Sequence, residues 1–244
     1  MSAVTSEADA AIIERLKRCG TATLATILTK CGLNRVFMHG VAPLPGSRPR
    51  MVGRAFTMRS VPVREDKLAG DKAVNPRLNL QRRATEECGV GEVLVIDCRG
   101  DAAGASGGLM LFERMRLRGC AGVVSDGGVR DAWEIAEGGF PVYAKAVCPP
   151  NSTAAHRFIE LNVPIGCGGV AVYPGDFIVG DPDGVMVVPR DIAEDVSRQA
   201  FDYEEQEEFI LRKIRGGASI YGTYPLEEEG LAEYAAERAA RGRG

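Results

Sequence analysis

Histidine is nearly missing from this chain of 244 residues, which has only His39 and His156. Its seven cysteines, at positions 19, 31, 88, 98, 120, 148 and 167, are odd in number and include no Cys-x-x-Cys pair. A zinc centre of the Cys/His kind therefore has no ligand set to draw on. The cysteines read as small reduced core residues rather than catalytic thiols. Basic residues are not in excess: 30 Lys and Arg face 33 Asp and Glu, for a net charge of −3. That balance leaves no footprint for nucleic acid. Long apolar runs are missing too. Stretches such as 93–96 and 185–188 are far too short to cross a bilayer. The first residues, MSAVTSEAD, lack the basic and apolar regions of a secretory signal. These absences together predict a cytoplasmic protein without membrane partners.

What is present is ordinary globular material, 45% apolar and 26% charged, enough for a core without staples. Helical spacing is expected over 8–19 and again over 21–30, stopping near Gly32. Residues 41–49 are rich in Pro and Gly and read as loop; 52–61 alternates as a strand. From Glu92 the pattern turns to strand–helix–strand. The run 93–97 is continuously apolar, as in a strand covered on both faces. The segment 104–119, a glycine loop leading into a helix, and strand 121–125 follow, a crossover that implies a parallel pair. Further strands are expected at 141–147 and within 168–189, and Asp191 is expected to cap a long helix reaching Arg215. The whole reads as one layered α/β domain over 1–244. Its core spans about 20–190, with helical additions at both ends and a C-terminal extension from about 191.

Two features carry chemistry. GASGGLMLFERMRLRG at 104–119 is a glycine loop opening a helix, and such a loop offers free backbone N–H groups to an anion. CAGVVSDGGVRD at 120–131 is a short apolar strand running into a turn that presents Arg130 beside Asp131. Arg130 brings a planar charged fork suited to a carboxylate, and Asp131 a hard oxygen ligand for a divalent cation. The crossover helix returns the chain to the same sheet edge, where open α/β sheets place ligands. Read alone, the turn is also compatible with a surface Arg–Asp pair whose glycines supply positive φ.

Several segments in fixed order resemble the RraA-like family. They are MVGRAFTMR at 51–59, VLVIDCRGD at 93–101, RGCAGVVSDGGVRD at 118–131, NVPIGCGG at 162–169 and YPGDFIVGDPDGVMVVP at 173–189. The family includes class II 4-hydroxy-4-methyl-2-oxoglutarate/4-carboxy-4-hydroxy-2-oxoadipate aldolases, and the chain is most similar to its longer "ribonuclease activity regulator" branch. The resemblance implies an α/β/β/α sandwich that assembles as a homotrimer or a dimer of trimers. It implies a lyase that cleaves a C–C bond of a 2-oxo acid through a pyruvate enolate, with Mg²⁺ or Mn²⁺ as cofactor. Arg130 would hold the carboxylate, Asp131 the metal, and the loop amides around Gly108, Leu109, Met110 and Leu111 the substrate. A glutamate from a neighbouring subunit, Glu207, would complete the site. The family's loop carries an Asp twenty-one residues before the Arg; this chain has Leu109 there. Leucine neither ligates nor accepts a hydrogen bond. Asp101, Ser106 and Asp126 are candidates to compensate. The resemblance also extends to a protein inhibitor of RNase E, so a non-catalytic regulator is an alternative, as is a sugar-acid or keto-acid dehydratase or hydrolase.

Other residues divide between two readings. Lys145 is either a Schiff-base lysine or a strand lysine reaching water. His156 is either a general base or a core-capping histidine. Trp133 is expected to pack beneath the helix after Asp131, and Glu204, Glu205, Glu207 and Glu208 to lie on a wet helix face.

Overall fold

The computed structural model describes residues 6–67 and 76–241. Its centre is a strongly curved eight-stranded sheet. The strands are β1 (Ala42–Pro43), β2 (Met51–Pro62), β3 (Glu92–Asp97), β4 (Gly122–Val129), β5 (Val142–Val147), β6 (His156–Leu161), β9 (Phe177–Asp181) and β10 (Gly184–Val188). The order is β1-β5-β4-β3-β2-β9-β10, with β6 pairing the far half of β2. The pairs β2–β3, β3–β4 and β4–β5 are parallel, as the crossover reading requires. The chain then brings its two sheet edges together: Phe37 bridges Met186 of β10, and Ala42 pairs with Ala144 of β5. The result is a nearly closed, barrel-like sheet. A small hairpin, β7 (Ile165–Cys167) with β8 (Val170–Val172), packs into the enclosed core.

The apolar run of β3 is explained by its two faces. Val93 and Val95 point into the enclosed core with Val124, Tyr143, Ile178, Val185 and Val187. Leu94 and Ile96 point outward, against helices α3 (Leu80–Glu87), α4 (Leu109–Leu117) and α5 (Ala132–Glu137) through Phe112, Met115 and Ile135. On the opposite flank, Phe177, Val179, Met186 and Val188 meet α1 (Glu7–Leu16), α2 (Thr21–Lys30) and α6 (Ala193–Arg215). The mixed α/β class and the helices at both ends, including α7 (Glu228–Ala240), agree with the sequence reading. Among the described residues, no helix is long and apolar enough to cross a membrane.

Four local expectations are corrected. Asp191 does not cap α6; it lies inside a short 3₁₀ turn, Arg190–Ile192, and the N-cap residue is Ile192. β4 runs on to Val129 rather than ending at Ser125, absorbing Asp126 and Gly127 as a bulge against β5. Trp133 is 72% exposed, not packed beneath α5. The glutamates of α6 are not a uniformly wet face, because Glu204 accepts from the Gly20 amide and the Thr23 hydroxyl at the start of α2. The cysteines are all unpaired, and five of the seven are buried.

Candidate active site

Arg130 follows the last residue of β4, at the carboxyl edge of the parallel strands. Asp131 comes next in the left-handed region (φ 57°) and starts α5. A non-glycine residue there carries backbone strain, which turns the chain sharply off the strand. The glycine loop arrives at the same place by a set of backbone bonds. Ala105 bridges Gly128, the Ser106 amide donates to the Gly128 carbonyl at 2.7 Å, and the Arg130 amide donates to the Gly107 carbonyl at 3.2 Å. The Leu109 amide then donates to Asp131 Oδ2 at 3.0 Å.

Close approach dictates the glycines. A Cβ on Gly108 would stand 2.6 Å from Asp131 Oδ2 and 2.8 Å from Arg130 Cγ; one on Gly128 would stand 2.6 Å from Cys148 Cβ. The loop thus lies directly on the Arg–Asp turn. Between them opens a cleft of about 130 Å³, lined by Gly107, Gly108, Met110, Leu111 and Arg130, with Gln81, Asn151 and Ser152 on the far wall. Arg130 is half exposed, and its Nε lies 3.7 Å from Asp131 Oδ2. Met110 sits in the first turn of α4, where N–H groups have no intrahelical acceptor. The cleft therefore combines a guanidinium, a helix start and polar amide and hydroxyl groups, a set suited to a small oxyanion.

The sequence-derived candidates separate here. Arg130, Gly108, Met110 and Leu111 meet in the cleft, and Asp131 stands at its rim, engaged with the loop amide. Leu109 does not line the cleft; its side chain packs with the outer core alongside Ala132. Glu207 lies elsewhere in the same chain, half-buried on α6, where the Thr23 hydroxyl donates to Oε2 at 3.4 Å. Burial and neighbouring Glu204 raise its pKa above the usual carboxylate value. None of the three proposed substitutes for the missing loop carboxylate reaches the cleft. Asp126 accepts from the Cys98 and Gly100 amides, Asp101 from the Ala103 amide, and the Ser106 hydroxyl donates to the Gly128 carbonyl.

His156 is the core-capping histidine. It is 2% exposed, and Nε2 meets the Gly104 carbonyl at 3.1 Å, tying down the glycine loop from behind. That bond requires a proton on Nε2, and burial holds the ring's pKa below its ordinary value. Gln81, Asn151 and Ser152 were missed by sequence reading. They sit on a helix start and a 3₁₀ turn whose composition resembles any polar loop. Only their bonds reveal them: the Ser152 hydroxyl donates to Gln81 Oε1, and Gln81 Nε2 donates to the Ser106 carbonyl.

Among the described residues a divalent cation finds one carboxylate at this cleft, Asp131, and no group of three His, Cys, Asp or Glu side chains gathers anywhere. One carboxylate fits Mg²⁺, which keeps several waters and takes its other oxygens from substrate.

Fold and cleft define a class first: an α/β protein with a nearly closed sheet and a basic cleft at the carboxyl edge of its parallel strands. The family model described as Aldolase/RraA matches residues 21–187, and the chain belongs to the RraA-like family. It is 37% identical over 145 residues to a putative 4-hydroxy-4-methyl-2-oxoglutarate aldolase of Halalkalibacterium halodurans, covering 58% of this chain and 67% of that one. A Thermus thermophilus protein named 4-hydroxy-4-methyl-2-oxoglutarate aldolase is 35% identical over 145 residues, covering 59% and 79%. Among solved structures, Streptomyces coelicolor RraAS2, described as an unusual member of the RNase ES inhibitor RraA family, superposes with a TM-score of 0.73. It is 33% identical, over 82% of this chain and 96% of that one.

Proposed function

We propose that this chain is a lyase that cleaves a C–C bond of a 2-oxo acid through a pyruvate enolate. The observation that carries the reading is Arg130 lining a small cleft against the start of α4, with the loop fixed to the turn through Leu109 and Asp131. Arg130 binds the 2-oxo carboxylate bidentately. The Met110 amide, in the first turn of α4, donates to a substrate oxygen and adds the helix's positive end. Mg²⁺ or Mn²⁺ bound at Asp131 would supply charge stabilisation for the developing enolate oxygen. Relatives named as aldolases support the same reaction class.

Aldol cleavage also needs a base for the substrate hydroxyl. Within one chain Glu207 does not line the Arg130 cleft and is engaged by Thr23 instead, so we assign that role to Glu207 of a neighbouring copy in a homotrimer or a dimer of trimers. Met110, which lines the cleft, and Trp133, two residues past Asp131, are 77% and 72% accessible and support an intersubunit face there. Decarboxylation of oxaloacetate needs enolate stabilisation and no such base. With Leu109 in place of a carboxylate, decarboxylation is favoured over aldol cleavage.

The test is pyruvate release from oxaloacetate with Mg²⁺ or Mn²⁺. The reading expects the rate to collapse in EDTA and in Arg130→Ala; a rate indifferent to both overturns it. One observation favours a second reading, a regulator of an RNA-degrading enzyme: the apolar side chain at position 109, together with the likeness to RraAS2. No thermal shift with metal plus oxalate, combined with tight binding to an RNA-degrading enzyme, would select it.

A further inference from the structure

Where the loop over residues 98–108 begins, Arg99 and Gly100 border a second cleft. This one is about 510 Å³ and is lined by His39, Asp97, Arg99, Asp126, Lys145 and glycines that include Gly168. It shares no lining residue with the Arg130 cleft. Its volume falls in the range of small-molecule sites.

Its hydrogen-bonding capacity is unevenly spent. Asp126 is 5% exposed and consumes its carboxylate on the chain itself: Oδ1 accepts from the Cys98 amide at 2.6 Å, and Oδ2 accepts from the amides of Gly100 at 2.9 Å and Gly168 at 3.4 Å. Asp97 Oδ1 accepts from the Arg99 amide at 2.8 Å. The cations are barely used. Arg99 donates one N–H to Ser60 Oγ at 2.6 Å, of the five a guanidinium has. Lys145 donates one to the Gly100 carbonyl at 2.5 Å, of three. Asp126 is thus a strut for the loop, and the cleft keeps two under-used cations, Arg99 and Lys145, beside the one remaining carboxylate oxygen of Asp97.

Arg99 adds a second observation. Its φ of 59° lies in the left-handed region, and Gly100 beside it has φ 69°. Glycine would occupy position 99 without strain, yet the chain carries a guanidinium there, at the mouth of the cleft. Lys145 reaches the same cleft from β5 and takes no part in the Arg130 site.

We propose that this cleft is a separate binding site for a small hydroxylated organic oxyanion, held by Arg99 and Lys145, with His39 alongside. A carboxylate and a phosphate ester share the required chemistry, and the probes distinguish them. Gluconate, glucose 6-phosphate and neutral glucose are titrated calorimetrically against the whole chain. The proposal expects saturable binding of gluconate, of glucose 6-phosphate, or of both, and none of glucose. Gluconate alone assigns a carboxylate site; the ester alone assigns a phosphate site. Arg99→Gly relieves backbone strain and so keeps the fold while removing the charge; Lys145→Gln removes the other. Each should weaken binding tenfold or more when compared in an Arg130→Ala background, where the first cleft no longer contributes and binding at the second should persist. Binding of neither anion, binding equal in Arg99→Gly and Lys145→Gln, or binding lost in Arg130→Ala would overturn the proposal.

Discussion

The Leu109 amide donates to Asp131 Oδ2 across 3.0 Å, joining residues twenty-two positions apart. This one bond fastens the start of α4 to the turn that ends β4. It sets how the helix N-terminus faces Arg130, and it shows why a leucine is tolerated at 109: the position contributes its backbone to the site and its side chain to the core.

Gly108→Ala tests that fastening. The added methyl would stand 2.6 Å from Asp131 Oδ2 and 2.8 Å from Arg130 Cγ, so both side chains must move. Gly108 has extended backbone (φ −165°), which alanine adopts freely, so the effect is one of contact rather than strain. Oxalate affinity should fall about tenfold or more, while unfolding free energy falls by about 1 kcal/mol, the worth of one hydrogen bond. Calorimetry and denaturant titration measure the two separately. An unchanged oxalate affinity would show that Asp131 and Arg130 need not hold their places.

Leu109→Asp would set a carboxylate against the outer core beside Ala132 rather than in the cleft, because the side chain at this position points there. A group so placed cannot act as the outer-shell partner whose loss typically costs about 10–100-fold in metal affinity, so Mn²⁺ binding should stay close to that of the parent. The lost apolar packing should cost about 1–2 kcal/mol of stability. Electron paramagnetic resonance titration of Mn²⁺ gives the answer; binding tightened tenfold or more would show that position 109 faces the metal.

Much of this was legible in the sequence. The apolar run of β3, the crossover helix and the Arg–Asp turn follow from periodicity and glycine placement, because local pattern governs them. The closure of the sheet does not. Phe37 meeting Met186 and Ala42 meeting Ala144 join segments more than a hundred residues apart through two-residue contacts with no local signature. Trp133 was misplaced because helical spacing tells which residues share a face but not whether anything covers it. Glu204 and Glu207 read as solvated because the start of α2, which uses Glu204 as a cap, is far away in the chain.

His156 makes a pH prediction with a definite sign. Its pKa in the folded chain is depressed by burial, so on acidification the unfolded chain takes the proton first. The histidine's contribution to stability is complete above about pH 6.5 and is lost as pH falls from there through the folded value. The loss runs at up to about 1.4 kcal/mol per pH unit. His156→Gln keeps a donor for the Gly104 carbonyl but cannot titrate. Asp126 and Asp176, both raised by burial, oppose the trend at lower pH but are common to both proteins. Unfolding free energies at pH 7.5 and 5.5 should therefore differ less in the variant than in the parent. Equal differences would mean that the ring is not held neutral.

The central claim is that the Arg130 guanidinium carries carboxylate recognition in the cleft over the glycine loop. Calorimetric titration of oxalate in the presence of Mg²⁺, on the parent chain and on Arg130→Ala, tests it most directly. Saturable binding by the parent, weakened at least about a hundredfold in the variant, corresponds to the roughly 3 kcal/mol expected of a charged, bidentate contact. Equal affinity in the two proteins would contradict the account.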